Sequence, residues 1–171
     1  MATLHHNISG ELTQELLAPG NNVKLSKISL TNVQKVSKCK VDLYINRVSG
    51  GDYGKFYLLK GVELPIGATL IYDDIKFNNA VYGLYIKLTD GATFTLTGSI
   101  DPTASTTVTG VSTLFLSEVS IGDEILVSSE TRTVSAIASD TSLTVSVATT
   151  NTANDTTPDC NPTALVDVII N

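Results

Sequence analysis

Short runs of alternating apolar and polar residues recur along the chain, and this alternation restricts its fold more than any other feature. Such runs cover residues 23–30, 41–45 and 56–59. A period of two over β-branched and aromatic residues predicts strands with one buried face. Glycine, proline, asparagine and aspartate separate the runs, as expected for tight turns. The sequence therefore predicts an all-β chain with antiparallel sheets.

The composition changes sharply near residue 91. Residues 1–92 contain all six tyrosines and ten of the eleven lysines and arginines, whereas residues 93–171 contain a single cation, Arg132. The first part carries charges of +10 and -8, and the second +1 and -9. A break of this kind predicts two domains of different character.

The second part also reads as β structure. Short strands rich in threonine and valine are predicted at 106–109, 124–127, 131–137 and 142–147, which suits a small closed barrel. The polar stretch 149–162 has no periodicity and predicts a linker. The last strand, within 164–170, is almost continuously apolar, which predicts that both of its faces are covered and that it returns to the first domain.

The predicted architecture is an antiparallel β-sandwich, jelly-roll or Ig-like, with a small β-barrel inserted in it. Residues 1–92 plus 162–171 form the sandwich, and residues 93–161 form the barrel and the linker. Insertion is tolerated where the two ends of a surface loop lie close together. Two tandem domains with a swapped or strand-donating C-terminus remain the alternative.

Residues suited to catalysis or metal binding are few. The only histidines, His5 and His6, are adjacent, and strand alternation directs them to opposite sides. Asp52, Asp73 and Asp74 lack the spacing of a calcium loop and read as turn residues. We therefore predict no enzyme, no catalytic residues, no metal and no cofactor.

Charge and hydropathy argue against a nucleic-acid-binding protein and against a membrane-spanning one. A net charge of -6 and a pI of about 4.7 make nucleic acid an unexpected partner. No apolar run approaches the roughly 18 residues of a membrane-spanning helix, and no secretory pattern is visible. We therefore expect synthesis in a cytoplasm, no membrane insertion, and reduced thiols at Cys39 and Cys160.

Aromatic and cationic residues of the first part are the candidate interface residues, because interfaces are enriched in tyrosine and arginine. Rings that stack on sugars are the alternative use of such residues. The predicted interface set is Tyr44, Tyr53, Tyr57, Tyr82, Tyr85 and Arg47.

Several segments resemble known phage proteins. KISLTN at 27–32, VDLYI at 41–45 and YLLKGVELPIGATL at 57–70 resemble small β-sandwich virion proteins of tailed phages, notably phages of marine bacteria and cyanobacteria, and these proteins end on a strand similar to 165–170. TTVTGVSTLF at 106–115 and VSIGDEI at 119–125, with the segment 132–145, resemble a module repeated in phage tail and appendage proteins.

The resemblance implies a virion structural protein made in the host cytoplasm. It would act as a capsid decoration or as a head, neck or tail accessory subunit, by packing against other virion proteins and, as a homo-oligomer, against its own copies. The alternative is a carbohydrate-binding or adhesive β module of a fibre or a cell surface.

Overall fold

The computed structural model describes residues 3–47, 54–73 and 75–171 and contains three antiparallel sheets. The helix in this described part is a single turn, α1 (Phe115–Glu118). The all-β prediction is therefore confirmed. The chain forms two compact units, of which the first comprises Met1–Val33, Lys38–Asp90 and Ala164–Asn171 and the second comprises Gln34–Ser37 and Gly91–Thr163.

The first unit contains two four-stranded sheets. The first sheet has, in spatial order, β1 (Leu4–Ser9), β15 (Leu165–Ile170), β3 (Lys27–Asn32) and β6 (Thr69–Asp73). The second sheet has β2 (Gln14–Leu17), β7 (Tyr82–Thr89), β4 (Cys39–Arg47) and β5 (Phe56–Leu64). Both sheets contribute to one hydrophobic core, which includes Ile8, Ile28, Val168, Leu43 and Ile86.

The C-terminal strand β15 occupies an interior position in the first sheet, between β1 and β3. Val166, Val168 and Ile170 are buried in the core, but Ile169 on the other face is 40 % exposed. The expectation that both faces of this strand are covered is therefore wrong. The strand is paired along both edges, and only the face with Val166, Val168 and Ile170 requires apolar side chains.

The second unit contains a seven-stranded sheet. Its strands, in spatial order, are β8 (Phe94–Thr95), β14 (Asp159–Asn161), β11 (Glu124–Val127), β12 (Glu130–Ser139), β13 (Ser142–Val145), β10 (Thr107–Val111) and β9 (Ser99–Pro102). An isolated bridge joins Ile100 of β9 to Asp155. The core of this unit includes Ile100, Phe115, Ile125 and Leu143.

The segment 149–162, predicted as a linker, is part of the second unit. It contains β14, and polar side chains attach the rest of it to the turn between β11 and β12. Asp155 Oδ2 accepts the Ser128 N–H at 2.6 Å, and Asn151 Nδ2 donates to the Ser128 carbonyl at 2.9 Å. Hydrogen bonds replace the hydrophobic periodicity that would have identified this segment as ordered.

Candidate protein interface

Four side chains form a row across the second sheet, one from each of its strands. Glu15 on β2 lies opposite Tyr85 on β7, Tyr85 lies opposite Tyr44 on β4, and Tyr44 lies opposite Tyr57 on β5. Leu43, next to Tyr44 in the chain, belongs to the core. Because successive residues of a strand face opposite sides, this aromatic row lies on the outer face of the sheet.

The rings of the aromatic row contact one another. The centroids of Tyr44 and Tyr85 are 5.8 Å apart with planes 17° from parallel, and those of Tyr44 and Tyr57 are 5.5 Å apart with planes at 53°. Tyr44, in the middle, is only 4 % exposed, whereas Tyr57 is 41 % exposed. Cross-strand aromatic pairs of this kind stabilise a sheet, so Tyr44 anchors the row and Tyr57 remains available for contact.

Two lysines lie over the rings. Lys55 Nζ is 4.5 Å from the Tyr44 ring centroid and 6.0 Å from that of Tyr57, and Lys60 Nζ is 4.6 Å from the Tyr57 centroid. These distances are those of cation–π contacts. The outer face therefore combines aromatic surface with positive charge.

The hydroxyl groups of Tyr85 and Tyr44 are hydrogen-bonded. Tyr85 donates to Glu15 Oε2 at 2.9 Å, and Tyr44 donates to Thr13 Oγ1 at 3.4 Å. Burial raises the pKa of Tyr85 to about 12, and the bond to Glu15 and its negative charge add to this effect. Tyr85 is therefore a neutral hydrogen-bond donor near pH 7.

The predicted interface residues do not all lie together. Arg47 and Tyr82 are opposite each other on β4 and β7, with the guanidinium 5.6 Å from the ring centroid, and Phe56 packs edge-on against Tyr82 at 5.9 Å. Tyr82 lies two positions before the core residue Leu84 on β7, so it is on the core side of the sheet, away from the aromatic row. Tyr53 lies outside the described residues.

Sequence reasoning missed four members of these two groups. Glu15 belongs to the aromatic row, Lys55 and Lys60 lie over its rings, and Phe56 packs against Tyr82. Glu15 is 70 positions away from Tyr85, and only strand register makes them neighbours. The pattern Lys55-Phe56-Tyr57 could have predicted two separate aromatic groups, since strand alternation directs Phe56 and Tyr57 to opposite faces of the sheet.

Comparison with known proteins finds nothing similar, whether among family models, curated proteins or solved structures.

The candidate metal and catalytic residues are dispersed in the part of the chain that the structure describes. His5 is exposed and His6 faces inward on β1, and Asp73 is an exposed residue of β6 opposite Lys27. Asp52 and Asp74 lie outside the described residues. Within the described ranges no three His, Cys, Asp or Glu side chains are arranged to hold a metal ion, and no helix is long and apolar enough to cross a membrane.

The second unit holds a buried polar cluster around Asp123. Asp123 Oδ1 accepts Gln34 Nε2 and the Thr163 N–H, both at 2.9 Å, and Oδ2 accepts the Ser120 N–H at 2.7 Å. Burial raises the pKa of Asp123, while these donors act in the opposite direction. With its oxygens occupied by the chain's own donors, the carboxylate serves to bind the Gln34–Ser37 segment to this unit.

The two cysteines are separate buried thiols, Cys39 in the first unit and Cys160 in the second. Burial raises the pKa of Cys39 to about 11, with a contribution from the Asp90 charge. Burial also raises the pKa of Cys160 to about 12, with a contribution from Asp123. Neither thiol has the lowered pKa of a reactive cysteine.

Proposed function

We propose that this chain is a structural subunit of a tailed-phage particle, a capsid decoration or a head, neck or tail accessory protein that acts by protein packing. The observation that carries the proposal is the aromatic row with its two lysines on an outer sheet face. Interface cores favour tyrosine, and a few residues, often tyrosine, tryptophan or arginine, provide most of the binding energy. The resemblance of segments 57–70, 106–115 and 119–125 to phage proteins supplies the class of particle.

In this proposal the first unit is a jelly-roll or Ig-like sandwich, because its two sheets share one core. The second unit is a small barrel. Its support is the bridge from Ile100, on edge strand β9, to Asp155, four residues before β14. That bridge brings the two ends of the seven-stranded sheet toward each other, as closure requires.

The second unit is an insertion in this proposal. Asp90 Oδ1 accepts the Ala164 N–H at 2.6 Å, so the residues at which the first unit leaves off and resumes are in contact. A long insertion between two adjacent residues adds little closure entropy. The chain would be made in the host cytoplasm and would meet copies of itself or a ring of other virion proteins, since particles are symmetric.

Sugar binding is the rival use of these tyrosines, and the ring geometry disfavours it. A sugar stacks on an open ring face, but Tyr44 is 4 % exposed and the lysine ammonium groups of Lys55 and Lys60 lie over the Tyr44 and Tyr57 rings. A protein partner can contact the lysines and the ring edges together. Protein packing is therefore the better use of this surface.

Incorporation into particles tests the proposal. Particles made with a Tyr57→Ala/Lys60→Glu variant should contain at least about tenfold less of the chain than wild-type particles. This ratio corresponds to the loss of about 1.4 kcal/mol of binding energy when the exposed ring and the lysine charge are removed. The matched control is Val147→Ala/Glu124→Lys, two exposed positions of the second unit. Quantitative mass spectrometry of purified particles measures the copies, and circular dichroism checks folding. A wild-type chain absent from particles would refute the proposal.

A second experiment separates the roles of the units. Residues 91–163 are replaced by a short Gly/Ser linker, which the Asp90–Ala164 contact makes feasible. We expect the variant to fold and to enter particles. A folded variant that no longer enters them would show that the second unit makes the contact.

A further inference from the structure

The buried polar cluster around Asp123 brings a serine hydroxyl against a glutamine side chain. Ser120 Oγ donates to Gln34 Oε1 at 2.8 Å. Gln34 is 2 % exposed, Ser120 is 7 % exposed and Asp123 is fully buried. A nucleophile and a carbonyl group that are held in contact have the advantage of an intramolecular reaction, since no entropy is lost in bringing them together.

Hydrogen bonds orient the Gln34 carboxamide at both its oxygen and its nitrogen. Oε1 accepts the Lys35 N–H at 2.7 Å, in addition to the Ser120 hydroxyl. Nε2 donates to Asp123 Oδ1 and to the Thr163 carbonyl, both at 2.9 Å. The Lys35 N–H draws electron density from the carbonyl carbon Cδ and would stabilise negative charge on Oε1 when that carbon is attacked.

The Asp123 carboxylate contacts both reacting residues. Its Oδ2 accepts the Ser120 N–H at 2.7 Å, and its Oδ1 accepts Gln34 Nε2 at 2.9 Å. Burial raises the pKa of Asp123, which makes this carboxylate a stronger base than an exposed one. One carboxylate is therefore placed to take a proton on the serine side and to deliver a proton on the glutamine side.

We propose that Ser120 and Gln34 join in an intramolecular ester. Ser120 Oγ forms a bond to Gln34 Cδ and gives its proton to Asp123. The bond between Cδ and Nε2 then breaks, and Asp123 passes the proton to the nitrogen, which leaves as ammonia. A hydroxyl and a carboxamide thus become an ester and ammonia, without an oxidant, a reductant or a cofactor. Serine reacts in this way where an adjacent base activates it.

The ester would attach the segment Gln34–Ser37 covalently to the rest of the second unit, to which this segment belongs. A covalent link between distant positions stabilises a fold because it restricts the unfolded chain. Ammonia diffuses away, so the reverse reaction is slow, and burial of the cluster keeps water from hydrolysing the ester.

The mass of the purified chain tests the proposal. Most wild-type molecules, measured after denaturation, should be lighter than their sequence by one ammonia. After trypsin digestion the peptide 28–35 should be joined to the peptide 88–132. Hydroxylamine should separate the two peptides, because it cleaves esters, and should leave a hydroxamate at position 34 and an unmodified serine at position 120.

Variants assign the reacting groups. Ser120→Ala lacks the nucleophile and Asp123→Asn lacks the base, so both should have the full mass of their sequences. The matched controls are Ser117→Ala, at an exposed serine of α1, and Gln14→Ala, at the other glutamine of the chain. Both controls should still lose one ammonia.

The wild-type measurement stands even where a variant does not fold. A wild-type chain that is folded by circular dichroism, yet has the full mass of its sequence, would overturn the proposal. Loss of ammonia that persists in Ser120→Ala would also overturn it, as would a link that maps to Cys160 or to any other residue in place of Ser120.

Discussion

Tyr44 and Tyr85 lie directly opposite each other on β4 and β7, with ring centroids 5.8 Å apart and planes 17° from parallel. Tyr44 is covered by this neighbour, by Tyr57 and by Lys55, and the Tyr85 hydroxyl is held by Glu15. The row therefore has a structural centre at Tyr44 and an accessible end at Tyr57. This difference separates stability from binding in mutational tests.

Truncation of Tyr44 should destabilise the first unit strongly. Tyr44→Ala removes a buried ring and is expected to lower the free energy of unfolding by about 3 kcal/mol, as for other buried aromatic residues. Tyr57→Ala, its exposed neighbour in the row, should cost less than about 1 kcal/mol. Urea unfolding followed by tyrosine fluorescence compares the two. Equal losses for both variants would contradict the assignment of Tyr44 as the centre.

The stability of the first unit should fall between about pH 10 and about pH 12. The pKa of Tyr85 is raised from 10.0 to about 12 in the folded chain. In this window the unfolded chain has lost a proton that the folded chain retains, so rising pH favours unfolding. Tyr85→Phe lacks this group and should show a shallower decline, although it is about 1 kcal/mol less stable at pH 8 through loss of the Glu15 bond. Parallel pH profiles for the two proteins would rule out the Tyr85 contribution.

The C-terminal strand β15 should contribute to the stability of the first unit mainly through the side chains on its core face. Val168→Ala should cost about 2 kcal/mol because Val168 is 1 % exposed in the core. Ile169→Ala, at the adjacent 40 % exposed position, should cost less than about 1 kcal/mol. Deleting residues 163–171 should unfold the first unit, since β1 and β3 both lose their partner. An unchanged melting transition after that deletion would disprove this role of β15.

The Asp123 cluster should be necessary for the second unit. Asp123→Asn replaces an oxygen acceptor with a donor facing backbone N–H groups, and we expect a loss of about 3 kcal/mol. Asp101→Asn, at an exposed position of β9, serves as the control and should change little. Hydrogen exchange at the Ile125 and Val127 amides of β11 reports on this unit. Unchanged protection in Asp123→Asn would show that the cluster is dispensable.

The positions of most strands were predictable from alternation, because the period of two is a local property of the chain. The runs at 41–45 and 56–59 lie within β4 and β5, and the stretch 124–127 is β11. Alternation at 23–26 predicted a strand as well, but β3 begins only at Lys27. The prediction of a linker at 149–162 was wrong, because side-chain hydrogen bonds at Asp155 and Asn151 hold this segment in place without any apolar periodicity.

The sequence by itself determined that the chain is all-β and that its halves differ in charge and aromatic content, because both depend only on residue type and short-range order. Tertiary structure alone decided which tyrosines meet. Register places Glu15, Tyr85, Tyr44 and Tyr57 in one row, and a shift of a single residue would move each of them to the opposite face. Register depends on contacts between residues far apart in the chain, such as Glu15 and Tyr85, and no local pattern encodes those contacts.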